Sequence, residues 1–432
     1  MSVKPAEQTS NKHAESIAPD WTMAQLGARE HYAPARAAAK AGRLAVLYTD
    51  MWASADAPIA HRLSWLFPRL GGRWHQDLAD ASVRTLGWSV AWASNRPIPG
   101  QNVPEMYRHF EHVGRLFGRA VAKQLKVEAR RSKLQPPSGF FSFTTTALEA
   151  LHAARQLSMT SVVGQIDPAR YEEKLVAQEV EKWPGWETRP GVVPQSYWDR
   201  LEAEWSCADA VLVNSEWSKS ALEEQGVASE KLFVVPLAFE PQVLHEPILN
   251  RRQGPLRVLF LGQVNLRKGF PYLVEAARLL KSKQIIIDVV GPTSIAPSIL
   301  KRLPDNIQLH GPVDRRTASA WYRQADVFVL PTISDGFALT QLEAMAHGVP
   351  VITTDRCGDV VDNGVDGWRV AAADAGGLAG QLDSLAVRLE QLDHMSYMAR
   401  LKSQQFTLER YLTGLDAIWA RINGHSAQSC VQ

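Results

Sequence analysis

The chain has 432 residues, too many for one hydrophobic core, and it fits two domains with short tails. Its 47 basic and 45 acidic residues nearly balance, which argues against a nucleic-acid-binding protein driven by bulk electrostatics. Cys207, Cys357 and Cys430 lie far apart, so they predict neither a disulfide framework nor a zinc site.

The N-terminal segment, residues 1–20, is polar and lacks the apolar core of a signal peptide, so we expect a disordered tail. No apolar run approaches the length of a membrane span. Together with the cysteine spacing, these features predict a cytoplasmic protein.

The first half of the chain, residues 21–245, has an irregular pattern of strands and helices and is predicted to form one domain. A helix is expected over 32–41. The predicted strands are 23–26, 44–48, 87–93, 140–144, 160–164 and 210–214. Long inserts separate them.

One predicted helix of this half is strongly basic on one face. Its cations recur at spacings of three and four residues and are Arg115, Arg119, Lys123, Lys126, Arg130 and Lys133. Such a face is typical either of a solvated surface or of peripheral contact with anionic lipid at the inner face of a membrane. The sequence leaves both interpretations open.

The second half alternates strand and helix regularly. The predicted strands are 256–262, 285–291, 307–311, 327–331 and 349–354, and helices are expected over 271–281 and 317–324. Alternating βα units predict a parallel, doubly wound sheet that binds ligands at the carboxyl ends of its strands. Gly311 ends one such strand, where its backbone can reach a nucleobase. The proline-rich residues 237–255 are the best candidate for an interdomain linker, with the second domain over 246–400.

Two cations follow the first strand of the second domain. The loop begins at Gly262 and Gln263 and continues to Arg267 and Lys268 before a helix. A nucleotide diphosphate gains negative charge when it leaves, and fixed cations at a strand end stabilise that charge. A solvated basic turn is the alternative interpretation.

A second element places two acids around a glycine-containing turn. Asp335 precedes Gly336, and Glu343 lies along the helix predicted to follow the turn. Unpaired backbone N–H groups at a helix start favour a phosphate, and we assign that role to Gly336, Phe337, Ala338 and Leu339. Asp335 is expected to accept sugar hydroxyls and Glu343 ribose hydroxyls, which describes a nucleotide-sugar site. An ordinary crossover with two solvated acids is the alternative.

These residues resemble glycosyltransferase family 4, the group 1 glycosyltransferases. The family signature is an acid, seven residues and a glutamate, followed by Ala-Met-Ala-x-Gly-x-Pro-Val-Ile, and residues 343–352 match it closely. Asp335 stands where the family usually has Glu, and Gln263 where it usually has Arg. Lys268 matches the family's Lys-Gly pair, and Arg267 offers a compensating cation.

The resemblance implies the GT-B architecture, in which two Rossmann-like domains face each other across a cleft. It also implies a final helix, residues 401–425, that packs back on the first domain. A glycine turn of the first domain is expected to face the donor phosphates, here at Gly27. Arg29 and His31 follow that turn and are candidates for substrate contact on the acceptor side. Gln165 and Asp167 are the other acceptor-side candidates, because they stand where many family members have a histidine.

The function implied is a retaining, metal-independent glycosyltransferase without a cofactor. It would move a sugar from a nucleotide-diphosphate sugar to a hydroxyl of a glycan, a lipid-linked acceptor or a polysaccharide precursor. Arg267, Lys268 and Asp335 would form its catalytic group. Two alternatives stay open: an epimerase or phosphorylase on the same fold, and a non-catalytic partner subunit. A dehydrogenase is disfavoured because no Gly-x-Gly-x-x-Gly follows a strand.

Overall fold

A computed structural model describes residues 20–53, 73–96, 102–131, 138–187, 191–240 and 254–429. The described strands form two separate, fully parallel sheets with helices around them, so the predicted α/β class is confirmed. The predicted tail up to residue 19, most of the predicted linker and Lys133 lie outside the described residues.

The first sheet has seven strands in the order β3-β2-β1-β4-β5-β6-β7. Its strands are β1 (Asp20–Gln25), β2 (Leu44–Thr49), β3 (Val83–Thr85), β4 (Ser138–Phe143), β5 (Thr160–Gln165), β6 (Ala210–Val213) and β7 (Leu232–Val234). Its helices are α1 (Ala33–Lys40), α2 (Trp88–Asn95), α3 (Val103–Arg130), α4 (Leu148–Gln156), α5 (Arg170–Lys182), α6 (Gln195–Cys207) and α7 (Glu216–Glu223).

The second sheet has six strands in the order β10-β9-β8-β11-β12-β13. Its strands are β8 (Leu256–Leu261), β9 (Ile285–Val290), β10 (Ile307–Gly311), β11 (Val327–Leu330), β12 (Val351–Thr354) and β13 (Gly367–Val370). The helices are α8 (Phe270–Leu279), α9 (Pro297–Leu300), α10 (Arg315–Gln324), α11 (Thr340–Ala346), α12 (Ala375–Val387), α13 (Gln391–Ser403) and α14 (Leu408–Ser429).

One predicted strand is wrong. Residues 87–93 belong largely to helix α2, with Gly87 as its N-cap at φ 91°. Val90 and Ala93, three residues apart, are the buried positions, which is the period of a helix and not of a strand. The alternation of small and aromatic residues predicts a strand only if the aromatic side chains are buried. Trp88 and Trp92 of this helix are exposed instead.

The last helix returns to the first sheet. Leu408, Tyr411, Leu415 and Ile418 are buried in one hydrophobic cluster with Trp21 of β1. The Trp21 indole N–H donates to Asp416 at 3.3 Å, and Arg43 pairs with the same carboxylate at 2.5 Å. Helix α14 therefore packs against the first sheet beside β1.

Candidate functional site

The cleft between the sheets holds the two predicted cations. Both lie in the loop from β8 to α8, and the Lys268 ammonium contacts the Asp335 carboxylate directly. The Arg267 guanidinium lies 3.6 Å from the same carboxylate and donates to the Ser334 carbonyl at 3.3 Å. The structure thus brings together the three residues predicted to be catalytic, although 67 positions separate Lys268 from Asp335.

The charge of Asp335 is balanced inside the protein. Burial raises the pKa of its carboxyl, but Lys268 and Arg267 outweigh that effect and hold the pKa below its ordinary value. The second carboxylate oxygen accepts the Phe337 N–H at 3.2 Å. Asp335 was expected to bind sugar hydroxyls; here its oxygens are occupied by the two cations and the backbone.

Arg267 also reaches across the cleft. Its guanidinium lies 3.4 Å from Glu172 of helix α5, which belongs to the first domain. Burial raises the pKa of Glu172 to about 7, against the opposing effect of Arg267. One oxygen of the Glu172 carboxyl is buried without a hydrogen-bond partner among the described residues. Charges of both domains therefore meet at Arg267.

The turn at Gly336 is packed against the first domain. The Ser215 hydroxyl donates to the Gly336 carbonyl at 2.6 Å, and the Trp217 indole donates to the Ser334 hydroxyl at 3.1 Å. A Cβ at Gly336 would overlap the Ile166 carbonyl oxygen after β5. Only glycine allows this close approach, so the turn is part of a closed interface between the domains.

The predicted phosphate site at the helix start needs correction. Helix α11 begins at Thr340, later than the sequence pattern indicated, and Ala338 has φ 58°. The Phe337 N–H is taken by Asp335, so it is not free for a phosphate. Ala338 and Leu339 are half-buried. Residues 336–339 therefore form an irregular turn before the helix.

Glu343 lies in the first turn of α11. It accepts a hydrogen bond from the Tyr322 hydroxyl at 2.8 Å. Burial, followed by the nearby Glu343 charge, raises the pKa of Tyr322 well above its ordinary value, so the phenol stays a donor. Glu343 is half-buried.

The three remaining donor-side residues are placed differently. Gln263 is exposed and lines a cavity between the domains together with Arg267. Gly262 begins the β8–α8 loop with φ 152°, and Gly311 ends β10 with its carbonyl accepting the Gly291 N–H at 2.8 Å. Neither glycine lines that cavity.

The first domain contains a cavity of about 410 Å³ at the carboxyl ends of its strands. Four predicted residues line it: Gly27, Arg29, Gln165 and Asp167. His31 is exposed, has φ 49° and is not among the lining residues. Three of the four acceptor-side candidates thus line one cavity, and His31 does not. Gly27, which was expected to face the donor phosphates, lines the same cavity.

Two of these residues are already engaged by the protein. The Gly27 N–H donates to Asp50 at 3.0 Å, and Arg73 pairs with the same carboxylate at 3.0 Å. The Gln165 amide donates to the Asp167 carboxylate at 2.8 Å and accepts from the Trp205 indole at 3.1 Å. Gln165 therefore orients Asp167 toward the cavity.

Several lining residues were missed from the sequence. They are Arg73, three successive threonines from 144 to 146, and the aromatic residues Tyr107, Phe110, Phe143 and Tyr197. The three threonines could have been recognised from the sequence, because they form a run of hydroxyl side chains at the end of a predicted strand. Arg73 and the rings come from distant segments and offered no such signal.

A second cavity of about 230 Å³ lies between the domains. Tyr107, Asp167 and Tyr197 line both cavities, while Glu172 and Arg267 line only this one. The two spaces are neighbours, with the cationic loop of the second domain on one side and the aromatic pocket of the first on the other.

The sequence predicted no metal site. Among the described residues, one group has closely spaced metal-ligand atoms, and it consists of His75, Asp77 and Glu240. Arg36 lies 2.9 Å and Lys40 3.2 Å from Asp77, and both also pair with Glu240. These cations take the place that a metal would need, so the group is an ion-pair network.

Comparison with known proteins connects this geometry to a family. Residues 255–387 match the family model of the group 1 glycosyl transferases. A D-inositol 3-phosphate glycosyltransferase of Arthrobacter sp. (strain FB24) is 34% identical over 207 residues, 43% of this chain and 48% of that protein. The amylovoran biosynthesis glycosyltransferase AmsK of Erwinia amylovora is 25% identical over 181 residues, 38% and 44% of the two chains. These matches span about half the length of the relatives.

Solved structures resemble the whole chain. HepE of Anabaena in complex with UDP-glucose has a TM-score of 0.56 at 16% identity and covers 92% of this chain and 99% of its own. Sucrose-phosphate synthase of Thermosynechococcus elongatus has a TM-score of 0.59 at 18% identity, covering 93% and 99%. The resemblance predicted from the sequence is thereby confirmed: the chain has the GT-B fold, and residues 255–387 of its second domain are similar to the group 1 glycosyl transferases.

Proposed function

We propose that this protein transfers a sugar from a nucleotide-diphosphate sugar to an acceptor hydroxyl. The observation that carries the proposal is the group of Arg267, Lys268 and Asp335 at neighbouring strand ends, with Arg267 lining the cavity between the domains. The UDP-glucose bound to the similar HepE structure supports a nucleotide-sugar as donor.

The donor's phosphates would exchange partners with the protein. Arg267 and Lys268 are now neutralised by Glu172 and Asp335, and a diphosphate can replace part of these contacts. Arg binds two oxygens in a fixed fork, whereas Lys acts as a mobile point charge. Because negative charge grows on the leaving diphosphate, these cations stabilise the transition state more than the ground state. This supports a metal-independent reaction.

The reaction would retain the anomeric configuration. The acceptor oxygen forms its bond to the sugar's anomeric carbon on the face from which the diphosphate leaves with the bonding electron pair. The leaving phosphate takes the proton of the acceptor hydroxyl, so no strong protein base is needed. Asp335 acts in this scheme by holding Lys268 in place, and Glu343 binds the ribose.

An epimerase or phosphorylase is the rival enzyme on this fold, and a non-catalytic partner subunit is the third possibility. The presence of Lys268, Asp335 and Glu343 together argues against the non-catalytic subunit, because a scaffold needs none of them. An epimerase would change the donor without acceptor. A transferase releases nucleotide diphosphate when an acceptor is added.

The test is a thermal-shift screen with UDP-, GDP- and ADP-glucose, followed by a nucleotide diphosphate release assay with hydroxylated acceptors. A ligand that binds the native state raises the melting temperature. We expect one nucleotide to raise it and its diphosphate to appear only with acceptor. No shift with any nucleotide-sugar would remove the proposal.

We also propose a peripheral contact with anionic membrane through the basic face of α3. Arg115, Arg119, Lys123, Lys126 and Arg130 are all exposed on this helix. The adjoining helix α2 exposes Trp88 by 79% and Trp92 by 63%, and indoles favour the membrane–water interface. None of the described helices combines the length and apolar character that crossing a membrane requires.

Vesicle sedimentation tests this contact. Binding should require anionic lipid, weaken with salt, and fall when Lys123, Lys126 and Arg130 are changed to Glu, because each basic residue near the surface contributes about 1 kcal/mol. Equal binding of this triple variant would reject the membrane contact and leave the sugar transfer untouched.

A further inference from the structure

The floor of the first-domain cavity contains a strained threonine. Thr145 has φ 76°, and it is the one β-branched residue among the described non-glycine residues with positive φ. This backbone region brings Cβ close to the following carbonyl oxygen, and it is rare for a branched side chain. Strain of this kind persists only where the surrounding structure enforces it, and it clusters at functional sites.

Two buried charged side chains enforce this conformation. The Glu204 carboxylate, fully buried, accepts the Thr145 N–H at 2.6 Å and the Ala147 N–H at 3.0 Å. The Arg200 guanidinium donates to the Thr145 carbonyl at 2.7 Å and grips Glu149 with its two other nitrogens. Two side chains of helix α6 therefore bind the backbone N–H and the backbone carbonyl of Thr145.

A third contact comes from helix α3. A Cβ at Gly114 would overlap the Thr145 carbonyl oxygen, so this helix presses directly on the turn. The turn is thus fixed from helices α3, α4 and α6 at once. A glycine at position 145 would adopt the same backbone without strain, so the fold itself does not require a threonine there.

The strained turn faces the cavity of about 410 Å³. Thr144, Thr145 and Thr146 all line it, and the Thr145 hydroxyl lies 3.2 Å from the Tyr197 hydroxyl. Each hydroxyl can donate one hydrogen bond and accept others, so a pair of them can bind further hydroxyl groups. The turn therefore presents polar groups in a cavity whose walls include the aromatic rings of Tyr107, Phe110 and Phe143.

We infer that the turn of residues 144–146 is the binding site for hydroxyl groups of the acceptor. This inference rests on the proposed sugar transfer and names its acceptor class: a sugar or cyclitol ring that stacks on the aromatic walls while Thr145 and Tyr197 hold its hydroxyls. Tyr197 and Asp167 also line the cavity beside Arg267, so a ring bound here presents a hydroxyl toward the donor side. Glu204 and Arg200 are positioning residues because they act through the turn.

The test compares two glycine substitutions at positive φ. Thr145→Gly relieves the strain and removes the hydroxyl from the cavity. Ser158→Gly, at φ 55° in an exposed turn after α4, relieves strain away from the cavity and is the matched control. Thr145→Ser keeps the hydroxyl and removes the branch.

The probes are myo-inositol and methyl α-D-glucopyranoside, with binding to the full chain followed by saturation-transfer NMR. We expect Thr145→Gly to weaken probe binding about tenfold, the value of one lost hydrogen bond, with an equal or higher melting temperature. Ser158→Gly and Thr145→Ser should bind as the wild type does. A purely structural turn would gain stability in both glycine variants without any change in binding.

Two results would overturn the inference: unchanged probe binding by Thr145→Gly, or no binding of either probe to the wild type. The donor thermal shift is measured on the same samples and should be equal in all of them. Its absence in the wild type would instead count against the proposed transfer, while the NMR data would still report on the turn. The two failures are therefore distinguishable.

Discussion

Asp335 and Glu30, one carboxylate from each domain, have pKa values shifted in opposite directions. At Asp335 in the second domain, burial raises the pKa, but Lys268 and Arg267 outweigh it and keep the pKa below its ordinary value. At Glu30 in the first domain, burial raises the pKa to about 7 and outweighs the opposing effect of Arg29. One oxygen of Glu30 is buried without a hydrogen-bond partner among the described residues.

The difference shows what each region is built for. Asp335, Lys268 and Arg267 stay charged beside a cavity that Arg267 lines. A negatively charged ligand in this cavity can replace the carboxylate as the partner of the cations. In the first domain, Glu204 binds backbone N–H groups instead. Burial raises the pKa of Glu204 to about 7, although Arg200 and three backbone N–H groups oppose that effect. Its role there is to hold a turn and not to meet a ligand's charge.

The largest effect is expected from Lys268→Ala. Removing one fixed cation from the leaving diphosphate should lower kcat about 10²- to 10³-fold. The donor's dissociation constant should change much less, because the charge grows mainly in the transition state. Release of nucleotide diphosphate measures kcat, and calorimetry measures donor affinity.

Lys268→Arg is the matched control, because it keeps a positive charge beside Asp335. It should retain far more turnover than the alanine variant. If Lys268→Ala instead weakened donor binding and left kcat intact, Lys268 would stabilise the bound donor and not the transition state. The ion pair at Asp335 would then have no role in the chemical step.

Glu30→Gln tests the other side of the comparison. The carboxyl titrates near 4.5 when unfolded and about 7 when folded, so the folded chain binds more protons between these pH values. The resulting stabilisation is complete below pH 4.5 and is lost as pH rises through 7. Gln does not titrate, so the variant does not lose this stabilisation as the pH rises. The unfolding free energy of Glu30→Gln minus that of the wild type should therefore increase by up to about 3 kcal/mol from acidic to alkaline pH.

Urea unfolding at pH 4.5 and pH 8 measures this difference. Glu172 and Glu204 are present in both proteins, so their titrations cancel. Glu181→Gln, an exposed position on helix α5, is the control and should show no such trend. A pH-independent difference between Glu30→Gln and the wild type would mean that Glu30 finds a counter-charge after all.

The second domain was largely predictable because its site is encoded by short segments. Lys268 follows one strand, Asp335 and Glu343 follow another, and parallel strands deliver their carboxyl ends to one edge. What the sequence missed there was the contact of Gly336 with Ile166. That contact depends on the other domain, and no local pattern indicates that the helix starts only at Thr340.

The first domain was less predictable because its cavity is assembled from distant segments. Arg73, Tyr107 and Tyr197 reach the same space from three separate regions, and no local pattern joins them. The error over 87–93 has the same origin. Trp88 and Trp92 give the sequence the apolar pattern of a strand although both side chains are exposed. Only the tertiary packing shows that Val90 and Ala93 are the buried residues.

Gly336→Ala should separate the domains without touching a charge. The new Cβ would overlap the backbone carbonyl oxygen of Ile166 and lie 3.0 Å from the side-chain amide nitrogen of Asn214, so the Ile166 backbone or the turn itself would have to move. We expect a loss of about 1–3 kcal/mol and a larger radius of gyration in small-angle scattering. Gly380→Ala is the control, since a Cβ there would meet no atom within 4 Å beyond its chain neighbours and its own helix backbone. An unchanged radius would show that the closed contact does not hold the domains together.

Glu343→Gln gives the smallest and most specific effect. The amide oxygen can still accept the Tyr322 hydroxyl bond of 2.8 Å, so folding stability should stay within about 0.5 kcal/mol of the wild type. Charged acceptors bind hydroxyls about twice as strongly as neutral ones, so donor affinity should fall about tenfold if Glu343 binds the ribose. Calorimetry with the nucleotide-sugar that shifts the melting temperature measures this loss. An unchanged affinity would assign Glu343 to the fold, as a partner of Tyr322, and would leave the donor's recognition to the Arg267 and Lys268 side alone.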